Sequence, residues 1–302
     1  SVQSAVDNAV AGDVINIPDN IFYNSFSENI VIDKDLTLNF FNCTLVGDGV
    51  NPCISVVGGA NVTVNDIYVT DALFSTDQLS RLALTRLNSC NFTLYEGVFE
   101  FRDTLFLNSH IVNLGAVCSI SDCNFTNSSF VVNGGKSKIV NSTFNDCDVA
   151  VTQTAGELEL ISNMIFDNNV GVNVTGGVSD LSFNIFHSNN VSLVFNSSGI
   201  VYDDNWWGNN NPIYNYSSVL VDCDILQLGG LESPMNSWIV LNITQSNHLD
   251  YDYYIAGITY YNLTVDFTHN NLGKTVNGYL KDFNLTLTNV YNHVYQEYHY
   301  NG

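Results

Sequence analysis

Asp203 and Asp204 are adjacent carboxylates standing just before Trp206, and no other adjacent acidic pair occurs in the late repeats of the chain. Cleavage of a glycosidic bond takes two carboxyl groups about 5 to 9.5 Å apart across a groove. Elimination from a uronate instead requires a cation, Arg or Lys with calcium, to stabilise the enolate and move the proton. Residues 103 to 273 contain no Arg and only Lys136 and Lys138, which follow Gly134-Gly135 and read as an exposed turn. Asp203 and Asp204 are expected to be turn or cap residues. Histidines at 110, 187, 248, 269, 293 and 299 show neither triad nor metal spacing. The expectation is a protein without catalytic residues, metal ligands or cofactor, and the sequence assigns no ligand-binding residue.

The seven cysteines are Cys43, Cys53, Cys90, Cys118, Cys123, Cys147 and Cys223, with no Cys-x-x-Cys and no histidine at zinc-finger spacing. Cys90 and Cys123 both precede Asn-Phe-Thr, and Cys147 follows Phe144 by three. Recurrence of this kind predicts small buried thiols, with a Cys118–Cys123 disulfide as the alternative.

The elements that must carry these residues announce themselves by period. An aromatic beside asparagines returns at Phe106, Phe125, Phe144, Phe166, Phe186 and Trp206, at intervals of 19, 19, 22, 20 and 20. Between them lie short β-branched alternations broken by Asn and Gly, too short for helices. A period near 20 without helices implies three short strands per coil and a parallel β-helix. The periodic aromatics are expected to point inward and stack, with Trp207 sealing the last coil. A sugar-stacking platform at Trp206 and Trp207 is the weaker alternative.

Eight Lys and Arg stand against thirty Asp and Glu, a formal charge of -22. Such a surface has almost no cation to neutralise phosphate, so nucleic acid and anionic membranes are poor partners for it, and no nucleic-acid partner is expected. No apolar run approaches a membrane-spanning length. Residues 71 to 104 concentrate Arg81, Arg86, Glu96, Glu100, Arg102 and Asp103. They predict a loop or widened coil leaving the stack, and a first candidate for a binding surface.

Val2, Ala5, Val6, Ala9 and Val10 share one helical face ahead of Gly12, predicting a short helix that covers the open first coil. That helix, then Gly12-Asp13-Val14-Ile15, Asn29-Ile30, Lys34 and Leu36-Thr37-Leu38, and finally Asn205-Trp206-Trp207-Gly208 with Pro212, resemble adhesin-like surface proteins of methanogenic archaea. These are right-handed parallel β-helices of the pectin-lyase-like superfamily. The resemblance implies bacterial-Ig-like stalk modules after the helix. It also admits the superfamily's enzymes, but the Asn-Thr-Asp, Gly-His-Gly and Arg-Ile-Lys phrases of polygalacturonase-type members are absent.

The expected organisation is an all-β chain: a right-handed parallel β-helix with its cap over 1–212, a transition over 213–236, and an incomplete Ig-like β-sandwich over 237–302. Thirteen Asn-x-Ser/Thr sequons are present, those inside the stack being out of reach. Ser1 reads as a processing boundary. The expected function is an extracellular, cell-surface or cell-wall adhesin-like monomer that attaches to other cells, surface glycans or proteins, with no membrane insertion. A carbohydrate-active enzyme and a passive envelope component are the rivals.

Overall fold

The computed structural model describes residues 1–302 apart from 19–24, 71–72, 86–91, 218–222, 230–234, 247–261, 277, 279, 289–293 and 301–302. Arg86, Cys90, Gly230, Pro234, His248, His293, the tyrosines at 251, 253, 254, 260, 261 and 291, and the strand expected at 253–255 lie outside the described residues.

The chain is an all-β parallel solenoid with one short N-terminal helix. Three columns of strands run along it. The first contains Val14–Ile17, 36–40, 61–65, Arg81–Thr85, Val98–Arg102, Val117–Ser121, 136–140, 157–161, Val178–Asp180 and Ile200–Val201, all in parallel register. The second continues from Ser25–Phe26 through 43–46 and 67–70. It is taken up again by Leu105–Leu107, Asn124–Thr126, Thr143–Asn145, Met164–Phe166 and Ile185–His187. The third includes Ile30–Ile32, Pro52–Val56 and Leu73–Thr76, then Phe92–Leu94, His110–Asn113, 129–132, 149–153, Val170–Val174, Val191–Phe195 and Cys223–Gln227.

Period-2 alternation turns every second side chain inward, and parallel register stacks it on its equivalent. Leu38, Val64, Leu84, Phe101, Ile120, Ile139 and Leu160 thus form one buried column.

The corners follow one grammar. At the first corner Asp103, Asp122, Asn141, Ser162, Phe183 and Asp204 take positive φ. At the second the same is true of Asn108, Asn127, Asp146, Asp167 and Ser188. The residue after each turns inward and satisfies the backbone that the bend leaves unpaired. Thr104 Oγ1, Cys123 Sγ, Ser142 Oγ, Asn163 Nδ2 and Asn184 Nδ2 all donate to the carbonyl two residues earlier. Successive coils are linked by the same side chains: Ser142 Oγ accepts from Cys123 N at 3.1 Å, Asn163 Oδ1 from Ser142 N at 2.8 Å, and Asn184 Oδ1 from Asn163 N at 3.0 Å.

This grammar explains two of the cysteines. Cys123 and Cys147 replace serine at corner positions, each donating its S–H to a carbonyl at 3.2 Å. The six described cysteines are buried thiols outside any disulfide. Burial pushes the Cys123 thiol up to about 12 and the Cys118 thiol higher still. No Cys118–Cys123 disulfide forms.

The aromatic column needs correction at two points. Phe106, Phe125 and Phe144 do stack, with centroids 4.4 and 4.3 Å apart. The next inward residue is Ile165 instead of Phe166, then Phe186, then Trp207 instead of Trp206. Phe166 faces outward and stacks on His187 at 5.0 Å. Pairing fixes side-chain direction, so one residue of slippage moves a ring to the opposite face.

At the N-terminus Val2–Asn8 is helical and covers the first coil with Val2 and Val6, while Ala5 and Val10 are exposed. Glu28 accepts from Val2 N at 2.8 Å and Gln3 N at 3.2 Å. Lys34 Nζ donates to the carbonyls of Val6 and Ala9 at the other end. Both helix ends are thus satisfied from the first coil.

The expected departure at 71–104 does not occur among the described residues. Leu73–Thr76, Arg81–Thr85, Phe92–Leu94 and Val98–Arg102 stay in the stack, and Arg81 Nε donates to Glu100 at 3.0 Å. Of the charged residues in this stretch, Arg81 and Glu100 pair across neighbouring strands on an outer face.

Beyond the last coil the described strands form two antiparallel pairs, Asn242–Ser246 with Asn262–Asp266 and Phe283–Thr288 with Val294–Tyr300. Trp206 docks this segment. It joins a buried cluster with Ile185, Ile239, Phe267 and Leu280, and meets the Phe267 ring edge-on at 5.2 Å. Gly278 lies so close to Phe183 that an added Cβ would come within 2.5 Å of its ring.

Candidate functional site

The corner asparagines and the change in coil length together create a concavity. Up to the second corner, equivalents lie 19 residues apart, as in Ser109 and Ser128 or Thr126 and Asn145. The third column then pairs Phe130 with Val151 and Val132 with Gln153, and later corners repeat at 21, as in Asn168 and Asn189. Two residues have been inserted between Cys147 and Val151, so the wider coils overhang the narrower ones. Below that ledge lies an open groove of about 430 Å³.

Its wall is polar. Asn108, His110, Asn127 and Asp148 are exposed in it, with Ser129 and Thr152 half-buried and Val131 and Val149 supplying apolar floor. Asn108, Asn127, His110, Ser129 and Asp148 are each held by a neighbour one coil away. Asn127 Nδ2 donates to Asn108 Oδ1 at 2.7 Å, and His110 Nδ1 lies 2.6 Å from Ser129 Oγ. On the ledge Asp148 Oδ1 accepts from Asn169 Nδ2, whose own Oδ1 accepts from Asn190 Nδ2. Amides, hydroxyls, one imidazole and one carboxylate over a short apolar floor offer a mixed set of hydrogen-bond donors and acceptors.

The sequence did not assign these residues. The one trace they leave is the lengthening after Phe144, from intervals of 19 to one of 22 that reaches Phe166, one residue past the true equivalent Ile165.

The residues the sequence singled out lie elsewhere and do not converge. Asp203 accepts from Asn236 N at 2.9 Å and Ser237 N at 3.3 Å. Asp204 takes φ 53° and accepts from Asn270 Nδ2 at 3.1 Å. Both bind the C-terminal segment to the last coil, as turn and tether. Lys136 and Lys138 sit on the 136–140 strand of the first column, not in a turn, and pair with Glu157 and Glu159 at 2.7 to 3.5 Å. Among the described residues no group of three or more His, Cys, Asp or Glu could hold a metal ion.

The described sequon asparagines are not inside the stack. Asn61, Asn124, Asn127, Asn190, Asn196 and Asn242 are exposed, while the buried asparagines of the corners (Asn163, Asn168, Asn184 and Asn205) belong to no sequon.

The chain matches no family model, no curated protein and no solved structure.

Proposed function

We propose that the chain is an extracellular binding protein that presents the flank of a β-solenoid for attachment to other cells through their surface glycans. The observation that carries this reading is the ledge groove. Its polar side chains are fixed in a coil-to-coil ladder on a scaffold whose own hydrogen bonds do not have to rearrange for binding. Preformed groups of this kind lose little conformational freedom on engaging a ligand.

The excess of acidic groups supports an uncharged or cationic partner surface over a polyanion. The resemblance to methanogen adhesin-like proteins, the pectin-lyase-like assignment, cell-surface placement and an Ig-like stalk module over 237–302 belong to the same proposal. The two antiparallel pairs after the last coil fit such a module.

The test is a neutral-glycan array and saturable binding to intact cells, each repeated with His110→Ala/Asp148→Ala. Both side chains are exposed, so the fold should lose no more than about 0.5 kcal/mol per site. Loss of glycan and cell binding together in the variant supports the reading. Saturable cell binding that the variant retains removes the groove from it, and no saturable binding at all favours a passive envelope component.

A further inference from the structure

Among the polar contacts between the C-terminal segment and the solenoid, one brings together three groups of different chemistry. Lys281 Nζ lies 2.7 Å from the Asn141 carbonyl oxygen and 3.2 Å from Asn141 Oδ1, across 140 residues of chain. On its other side, Asn141 Nδ2 donates to Asp122 Oδ1. An amine, a carboxamide and a carboxylate are therefore in hydrogen-bond contact in that order, the Asn141 amide lying between a nucleophile and a proton carrier.

Each partner is held from behind. Asn141 occupies the positive-φ position of its corner, at φ 49°, with Ser142 locked inward after it. Asp122 is the equivalent residue one coil earlier, at φ 57°. Lys281 follows Leu280, which is 2% exposed in the cluster around Trp206 and Phe267. Burial lowers the Lys281 ammonium below its ordinary range despite the nearby carboxylates of Asp122 and Asp282, which eases loss of the proton that must precede attack.

We propose that Lys281 and Asn141 form an intramolecular isopeptide bond, with Asp122 as the proton-transfer group. The ammonium first loses a proton to solvent. The Nζ lone pair then bonds to Asn141 Cγ, and the carbonyl π pair moves onto Oδ1. Asp122 takes the proton released from Nζ and returns it to Nδ2. The Cγ–Nδ2 bond breaks, Oδ1 regains its double bond, and ammonia leaves. Amine and carboxamide become a secondary amide and ammonia, with no change of oxidation state and with Asp122 unchanged. The product ties the C-terminal segment covalently to the middle of the solenoid. Force along the chain would then bypass the noncovalent contacts made by Trp206. This step does not depend on what the groove binds.

Intact-mass spectrometry of the purified chain, incubated at neutral pH, reads the bond directly. The expected mass is that of the sequence less one ammonia, and proteolysis should release a branched peptide joining Lys281 to Asn141. Lys281→Arg keeps the charge and should restore the full mass. Asp122→Asn should slow or abolish the loss. A full mass in the wild-type chain overturns the proposal, because it leaves only a hydrogen bond. So does an ammonia loss that persists in Lys281→Arg without a branched peptide, since Asn141-Ser142 can also lose ammonia by closing on its own backbone.

Discussion

Removal of one buried corner amide should cost far more than removal of an exposed one in the same coil. Asn184 is fully buried. Its Oδ1 accepts from the backbone N and the side-chain Nδ2 of Asn163 at 3.0 and 3.1 Å. Its Nδ2 donates to the Leu160 carbonyl at 2.6 Å and the Ser182 carbonyl at 3.2 Å. Asn184→Ala strands the Asn163 N–H without an acceptor. A buried unsatisfied group costs about 1–3 kcal/mol. With the carbonyls it also deprives and the small void it leaves, the total should reach about 3–5 kcal/mol. That is a large part of the roughly 5–15 kcal/mol that holds a domain folded. Asn190, exposed and with its amide on Asn169 Oδ1 at 3.1 Å, is the control. Asn190→Ala should cost about 0.5 kcal/mol or less. Urea unfolding followed by tryptophan fluorescence compares the two. Because a solenoid yields by neighbouring coils, hydrogen exchange at the Asn163 amide gives the local reading. Equal costs for the two variants, or unchanged protection at Asn163, would refute the account of the corners.

Ile165→Ala should destabilise by about 2–5 kcal/mol, while Phe166→Ala, on the outer face, should cost well under that, a reversal of what ring size suggests and measurable in the same urea titration. Trp207→Ala should cost about 3–5 kcal/mol through loss of the Phe186 stack, whereas Trp206→Ala should chiefly free the C-terminal segment, seen as faster hydrogen exchange at residues 266–283. Burial lowers the His187 pKa against the opposing pull of Asp167, so its neutral form is favoured in the fold. The resulting stability is complete above the unfolded value near 6.5 and is lost as pH falls from there through the lower folded value. His187→Gln should flatten that part of the pH–stability curve. Finally, the six described cysteines should resist alkylation in the native protein at neutral pH and react once urea unfolds it, a difference that thiol counting by mass detects.

The sequence alone determined the solenoid. A period near 20 residues, strand-length alternations and Asn or Gly at fixed offsets leave parallel coils as the one arrangement that satisfies both burial and turn chemistry. The capping helix was legible for the same reason, although only Val2 and Val6 of its expected face reach the core. Cys123 and Cys147 were recognisable as repeat positions, but their duty as serine-like corner donors was not, because that depends on which carbonyl each bend leaves exposed.

Tertiary structure decided what period could not. Whether Phe166 or Ile165 points inward, and whether Trp206 or Trp207 closes the stack, rests on one residue of register, and hydrogen bonding between coils sets that register. The groove arises because coils of 19 residues meet coils of 21, a difference that is small along the chain and becomes a ledge only when the coils are laid on one another. The meeting of Lys281, Asn141 and Asp122 is further from sequence still: 140 residues separate the amine from the amide, and only the docking of the last segment onto Trp206 brings them within reach.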